Sequence, residues 1–321
     1  MRLMTPLTLF LAILVADATS SRAPAQEFPS RAVTIIVPFS AGGPADTAAR
    51  TFADVMRKHF GQPVIVENRP AAGGTPATEY VAQNGHDGYT LLLGGIAGLA
   101  LIPPVQKVRY TVEDFAPLGL IWRSPQVFAV RNGLPVQTAA EFVAYAKANP
   151  DKLTFGSAGI GTVTHLAGEL LQRETGIKLV HVPFRSTVNS LTDLMGEHID
   201  AIFGDVAILR PHVQSKAIKP LGITSYNRSG LLPDLVTMKE AGFPGVHTEV
   251  WYGVLAQAHT PAPALAKLRE ATAAAQNDPE FAERLMKFGI SLPEAGAESF
   301  GAFIHSEIDR WKPIVTSVRT N

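Results

Sequence analysis

Short apolar strands run directly into glycine-rich turns that open helices, again and again along this chain, and few folds accept that pattern. Residues 32–37 (AVTIIV) form a continuous β-branched run, followed by Pro38-Phe39-Ser40-Ala41-Gly42-Gly43-Pro44 and then a helical stretch. A strand without polar alternation fits a parallel sheet covered on both faces. The helix predicted over 44–60 places Ala48, Phe52, Val55 and Met56 on one face, with Arg50, Arg57 and Lys58 off it. Gly61 stands just past its last turn, the favoured stop position. Further strands are read at 63–67, 89–94, 125–130, 153–156, 179–182, 199–203, 219–224 and 251–256. Helices are read at 139–148, 165–175 and 186–195, and the tail from 262 is mainly helical. Alternation of this kind belongs to the α/β class. No internal repeat and no low-complexity linker interrupts it.

Size and charge narrow the function. A chain of 321 residues exceeds what one core usually serves, so two domains are expected. The start reads as a secretory signal peptide: Arg2, an apolar run from Leu7 to Ala16, then Ala23-Pro24-Ala25 as an A-x-A cleavage signal before Gln26. The apolar run is about half of the ~20 residues that a spanning helix needs. With residues 1–25 removed, Arg2, Arg22 and Asp17 leave the balance of 28 basic and 28 acidic side chains, for a net charge near −1. No basic stripe is present, which argues against nucleic acid and anionic membrane surfaces. Cysteine is absent, so Cys nucleophiles, Cys-ligated zinc, iron–sulfur clusters and a lipidated N-terminal cysteine are excluded. A freely diffusing exported protein is expected, with no cofactor and no metal.

Four strand-to-helix junctions could carry function: residues 38–47, 69–75, 156–164 and 182–187. Each offers free backbone N–H groups at a helix start and, in most, a small hydroxyl, which together suit an anion. One helix start contributes only ~0.3–1 kcal/mol at an exposed site, whereas burying a carboxylate costs several kcal/mol. Several junctions would have to converge. Glycine-rich turns also serve folding alone, so no single junction decides the matter. There is no G-x-x-x-x-G-K-[ST], no G-x-G-x-x-G and no G-x-S-x-G elbow, and the His residues follow no metal spacing. His165 reads as a packed or capping residue.

At these junctions the segments VPFSAGGPADTAAR, ENRPAAGGTPA, DGYTLLLG, SAGIGTVTHLAGEL and HVPFRSTVNSLTDLMGEHIDAIFGD resemble the Bug family, extracytoplasmic receptors of tripartite tricarboxylate transporters. LGITSYNRSGLLPDL, EAGFPG and WYGVLAQAHTPAPAL continue the resemblance in order through nearly the whole chain after the signal peptide. It implies a type II periplasmic-binding-protein (Venus-flytrap) fold, with two α/β domains around a ligand cleft. Domain one is expected at 26–127 and 226–321, and domain two at 128–225. It also implies a small organic carboxylate as ligand, aromatic or dicarboxylic, delivered to integral membrane transporter subunits by a periplasmic monomer that is not an enzyme. The ligand-binding set it implies is Phe39, Ala41, Gly42, Gly43, Asp46 and Thr47, then Ala72, Gly73 and Gly74, in domain one. In domain two it is Ser157, Gly159, Gly161 and Thr162, then Phe184, Arg185 and Ser186, with Asp205. Asp46 is expected to brace its own loop, since like charges repel.

The sequence departs from the family pattern at three places. Ala71 replaces a Gly in the second junction, Arg185-Ser186 stand where Lys and Gly are usual, and Gly204 stands where an Asp is usual. Arg185 could clamp a second carboxylate bidentately or lie in solvent. Gly204 would remove a side chain from the cleft wall. Phe39, Phe184 and Trp251 could add apolar walls, although Trp251 reads rather as core. Two alternatives stay open: a periplasmic sensing subunit for a signalling system, and a secreted hydrolase using Ser157 with His165.

Overall fold

Strand β1 (Val33–Val37) is buried along almost its whole length because it has a parallel neighbour on each side, β2 (Val64–Asn68) and β3 (Thr90–Gly95). The computed structural model describes residues 27–287 and 299–319. The expected signal peptide at 1–25 and its cleavage point lie outside the described residues. Helix α1 (Pro44–Phe60) joins β1 to β2, and α2 (Thr75–Asn84) joins β2 to β3. Ala48, Phe52, Val55 and Met56 of α1 are all buried, as the helical period requires. Gly61 adopts φ 62° and closes the helix with its N–H on the Arg57 carbonyl.

The second lobe repeats the scheme. Strand β4 (Phe115–Val130) leads into α3 (Ala139–Ala148), β5 (Thr154–Ser157), α4 (Val163–Thr175), β6 (Val180–Pro183) and α5 (Thr187–Met195). Then come β7 (Ala201–Asp205), α6 (Val206–Gln214), β8 (Lys219–Ile223) and β9 (Glu249–Gln257). The chain closes with α7 (Ala262–Gln276), α8 (Pro279–Lys287) and α9 (Phe300–Arg319). Among the described residues, no helix is long and apolar enough to cross a membrane.

The sheet runs β2-β1-β3-β9-β4-β7-β5-β6, with β8 on β4. It is mixed, not purely parallel as the apolar strands suggested. Each lobe keeps its parallel pairs, β1 with β2 and β3, and β5 with β6 and β7. The two long strands β4 and β9 pair antiparallel, one leading toward the second lobe and the other returning from it. β4 changes sheets within its own length: Phe115–Pro125 pairs with β9, and from Gln126 onward it pairs with β7. Pro125, which has no N–H to give a ladder, sits at that change.

Core packing follows the lobes. Phe52, Met56, Leu268 and Phe281 fill one face of the first sheet, and Trp251, Ile304 and Trp311 the other. Phe128, Phe142, Phe155 and Phe203 fill one face of the second, and Ile202, Leu194 and Leu209 the other. Leu166 and Leu170 of α4 pack with the α9 side chains, so the lobes touch there. Trp251 is wholly buried and its Nε1–H donates to Glu307 Oε2 at 2.9 Å, so it is core and not a cleft wall.

Candidate functional site

Between the lobes lies a cavity of about 370 Å³, walled by turns from both halves. The first lobe contributes Phe39, Gly43, Ala45, Gly73, Ile96, Ala97 and Leu101. The second contributes Ala158, Thr162, Val163, Thr164, Thr187, Asp205 and Ile208. The strands between them add Trp122, Gln126, Val250 and Tyr252. Size and apolar lining suit a small organic molecule. Among the described lining residues, Asp205 is the only charged side chain and no Lys or Arg appears.

The first junction is held by Asp46. Its Oδ2 accepts from the Gly42 N–H and from Arg50 Nε, each at 2.9 Å, and its Oδ1 accepts from Asn68 Nδ2 at 2.9 Å. Asn68 Nδ2 also donates to the Phe39 carbonyl at 3.0 Å. Burial pushes the Asp46 carboxyl upward, but the hydrogen bonds from Arg50, Gly42 and Asn68 outweigh it and hold the group below the usual carboxylate range. Asp46 therefore braces its own loop, and the loop presents Phe39 and Gly43 to the cavity. Ala41 and Gly42 are exposed outside the lining, and the Thr47 N–H is spent on the Gly43 carbonyl.

In the second junction Ala72–Gly74 makes a tight turn and Gly73 faces the cavity. Gly73 and Gly74 have φ 66° and 96°, and a Cβ at either would come within 2.8 Å of Ile102 or Pro38, so only glycine fits both the dihedral and the space. Gly74 is buried behind the lining, its N–H on the Ala71 carbonyl.

The third junction is stitched by hydroxyls. Thr162 Oγ1 donates to the Gly159 carbonyl at 2.7 Å and caps α4 by accepting from the His165 N–H. The Ala158 N–H donates to Thr164 Oγ1 at 2.9 Å, and the Gly161 N–H to His165 Nδ1 at 3.0 Å. Ser157 is fully buried beneath this loop; its Oγ accepts from the Gly159 N–H at 3.1 Å and lies 2.7 Å from His181 Nε2. The serine meets His181, then, and not the His165 that the sequence suggested. Of this junction's expected residues, Thr162 reaches the lining, while the buried Ser157, the half-buried Gly159 and the exposed Gly161 lie outside it.

The fourth junction stands back from the cavity. Phe184 packs into the second-lobe core and its N–H donates to the Ser157 carbonyl at 3.0 Å. Arg185 is exposed, and Ser186 caps α5 through the Asn189 N–H. Thr187, one residue on, is what this turn gives the lining. Gly204 does not open the wall either: a Cβ there would meet Leu209 at 2.3 Å and Thr187 at 2.8 Å, so the missing side chain makes room for those neighbours.

Asp205 caps α6, with Oδ1 accepting from the Ala207 N–H and from Ser124 Oγ, each at 2.9 Å. Burial against the cleft wall pushes its carboxyl up to about 6, against the pull of those two hydrogen bonds. Burial, and then the charge of Asp205, also push the Tyr252 hydroxyl well above its ordinary range, so it stays a proton donor. Tyr252 packs edge-on to Phe39 with centroids 5.1 Å apart and lies 4.7 Å from Trp122. The sequence reading missed Trp122, Gln126, Ile96 and Tyr252. Gln126 carried a signal, since it is the one polar side chain in the otherwise apolar strand read at 125–130.

Two α/β lobes joined by crossing strands, with helix starts from both aimed at a cavity between them, define a periplasmic-binding-protein architecture of the Venus-flytrap kind. The chain matches the model of the tripartite tricarboxylate transporter family receptor, TctC, over residues 48–319, and it belongs to that family. It is 38% identical over 318 residues to a UPF0065 protein in the TAR-I ttuE-ttuC' intergenic region of Agrobacterium vitis, covering 96% of this chain and 90% of that one. Protein BugT of Bordetella pertussis is 30% identical over 319 residues, 97% of each chain. Among solved structures, MatC from Rhodopseudomonas palustris with bound malate superposes with TM-score 0.75 at 32% identity, covering 90% of this chain and 100% of MatC. R. palustris Rpa4515 with adipate gives 0.76 at 29% identity, covering 91% and 98%.

Proposed function

We propose that this protein is exported to the periplasm, captures a small organic carboxylate by closing its two lobes, and presents it to the integral membrane subunits of a tripartite tricarboxylate-type transporter. The carrying observation is the convergence of turns from both lobes on one apolar cavity whose described lining holds no cation. An anion entering it must be held by backbone N–H groups and hydroxyls. Each helix start supplies ~0.3–1 kcal/mol, so the starts behind Gly43, Gly73 and Thr162 have to act together, with direct hydrogen bonds, to offset a desolvation cost of several kcal/mol. The solved structures of MatC with bound malate and Rpa4515 with adipate support an aliphatic dicarboxylate, and the apolar walls support an aromatic acid equally.

The lobe boundaries fall, on this reading, at the sheet change beside Gln126 and at the start of β9. That extends the second lobe through residues 226–248, because Leu232, Met238 and Val246 pack into its cores. On this reading Ser157 serves the loop and not a hydrolysis: it is fully buried, its oxygen accepts from the Gly159 N–H and it lies 2.7 Å from His181 Nε2.

The test is a thermal-shift screen of residues 26–321 against C4–C6 dicarboxylates, citrate and benzoate-type acids, before and after unfolding and refolding to strip retained ligand. Ligand at 100 times its Kd stabilises by ~2.7 kcal/mol, a clear rise in Tm. No shift from any acid after refolding would defeat the carboxylate assignment.

A further inference from the structure

From the cleft floor we infer that Trp122 and Gln126 form a second recognition subsite, which reads an uncharged hydrogen-bonding group, a hydroxyl or a carboxamide, carried by the ligand beyond its carboxylate. The inference rests on the carboxylate reading above and narrows it.

Trp122, Ser124 and Gln126 alternate along β4, so they share one face of the strand. Trp122 and Gln126 both line the cavity, at 3% and 0% exposure. Among the described residues, neither the Trp122 Nε1 nor either polar atom of the Gln126 carboxamide has a hydrogen-bond partner. The two other indoles of the chain are paired. The buried indoles Trp251 and Trp311 both donate to Glu307, and Ser124, between the two floor residues, donates to Asp205. Leaving a buried amide and indole unpaired is costly, and native proteins rarely tolerate it without a use.

The chemistry of the missing partner follows from the atoms offered. The indole gives one donor, and the carboxamide gives two donors and one acceptor. A hydroxyl or carboxamide, which both donates and accepts, matches that set. A second carboxylate does not. Asp205 is the register partner of Gln126 across β4 and β7, and it lines the same cavity. Its negative charge repels another anion, and no cation among the described lining residues offsets it. Ile96, Leu101 and Ile208 leave an apolar body between the two polar ends.

The experiment is titration calorimetry with monocarboxylic acids paired by a single hydroxyl: 3-hydroxybutyrate with butyrate, and 4-hydroxybenzoate with benzoate. Wild type is expected to bind the hydroxylated member of at least one pair about tenfold tighter or better, as hydrogen-bonding sites do. Gln126→Met and Trp122→Phe should each collapse that preference to about twofold, the plain acid serving as each variant's own reference. Gln126→Met should also raise the Tm of the ligand-free protein, because it removes unpaired buried atoms; an amide with a purely structural role would lower it. Equal affinity for both members of every pair in wild type, or an unchanged preference in both variants, overturns the subsite alone. Failure of every acid to bind wild type overturns the carboxylate reading, and this inference with it.

Discussion

The imidazole of His181 stacks on that of His165 with ring centroids 3.9 Å apart and planes 15° apart, beneath the loop that carries Thr162. Burial and then the neighbouring His165 push His181 down to about 4, against the opposite pull of Glu169. The unfolded side chain titrates near 6.5, so between pH 6.5 and 4 the unfolded state takes up a proton that the folded state refuses. The stability tied to this group is full above pH 6.5 and is lost as pH falls toward 4. His181→Phe should flatten the fall in unfolding free energy across that window, as followed by urea titration at several pH values. An equally steep fall in the variant would locate the acid sensitivity elsewhere.

Asp205 acts in the opposite sense. Its folded carboxyl is raised to about 6 from an ordinary 3.8, so its contribution is full below pH 3.8 and is lost as pH rises through 6. Asp205→Asn keeps an oxygen for Ala207 and Ser124 and removes the buried charge. It should stabilise the protein above pH 7 by on the order of 1 kcal/mol after allowance for solvent at the cleft, and give no gain at pH 4. Parallel melting curves at the two pH values decide this; equal gains at both would show that charge is not the cause.

Arg185 is the cation that the sequence offered for a second carboxylate, yet it is exposed and outside the lining. Arg185→Ala should leave the affinity for mono- and dicarboxylates unchanged within about twofold, since a solvated side chain adds little. Selective weakening of dicarboxylates, read by calorimetry, would return it to the site.

The difference between Gly43 and Arg185 shows what the sequence could and could not reveal. The element pattern was legible because apolar periodicity is local: helix 44–60 and helix 139–148 were bounded correctly from their buried faces and stop residues. The first ten residues of β4 were not, because Pro117, Gly119 and Pro125 break the run and two register shifts accommodate them. The helix that follows Asp205 was hidden by its internal Pro211. At the site, glycine-rich junctions were visible, but which of their residues face inward depends on packing between distant segments. Trp122 and Gln126 come into the cavity only because β4 crosses from one sheet to the other there. Tyr252 reaches it by pairing with Trp122 across 130 positions of sequence.

Glu307, at 7% exposure, accepts from the Trp251 indole at 2.9 Å and the Trp311 indole at 3.1 Å through the same oxygen. Glu307→Ala would leave two buried donors unpaired at about 1–3 kcal/mol each, so a loss of roughly 2–6 kcal/mol is expected in urea unfolding. Glu307, Trp251 and Trp311 are outside the cavity lining, so the folded variant should keep its ligand affinity. Loss below 1 kcal/mol would mean that water replaces the carboxylate.

Gly43 offers the cleanest test of backbone recognition. It lines the cavity, precedes α1, and has φ −79°, close to the value that a proline ring imposes. A Cβ there meets only the Ser40 carbonyl at 3.5 Å, an ordinary contact. Gly43→Pro therefore removes one N–H with little strain. Gly161→Pro would not serve, because Gly161 has φ 77° and its N–H holds His165. If the N–H at 43 contacts the carboxylate, Gly43→Pro should weaken binding about tenfold or more, the worth of a hydrogen bond to a charged group. The Tm of the ligand-free protein should shift little. Unchanged affinity in a folded variant would remove this N–H from the anion site and move the search to the turns at Gly73 and Thr162.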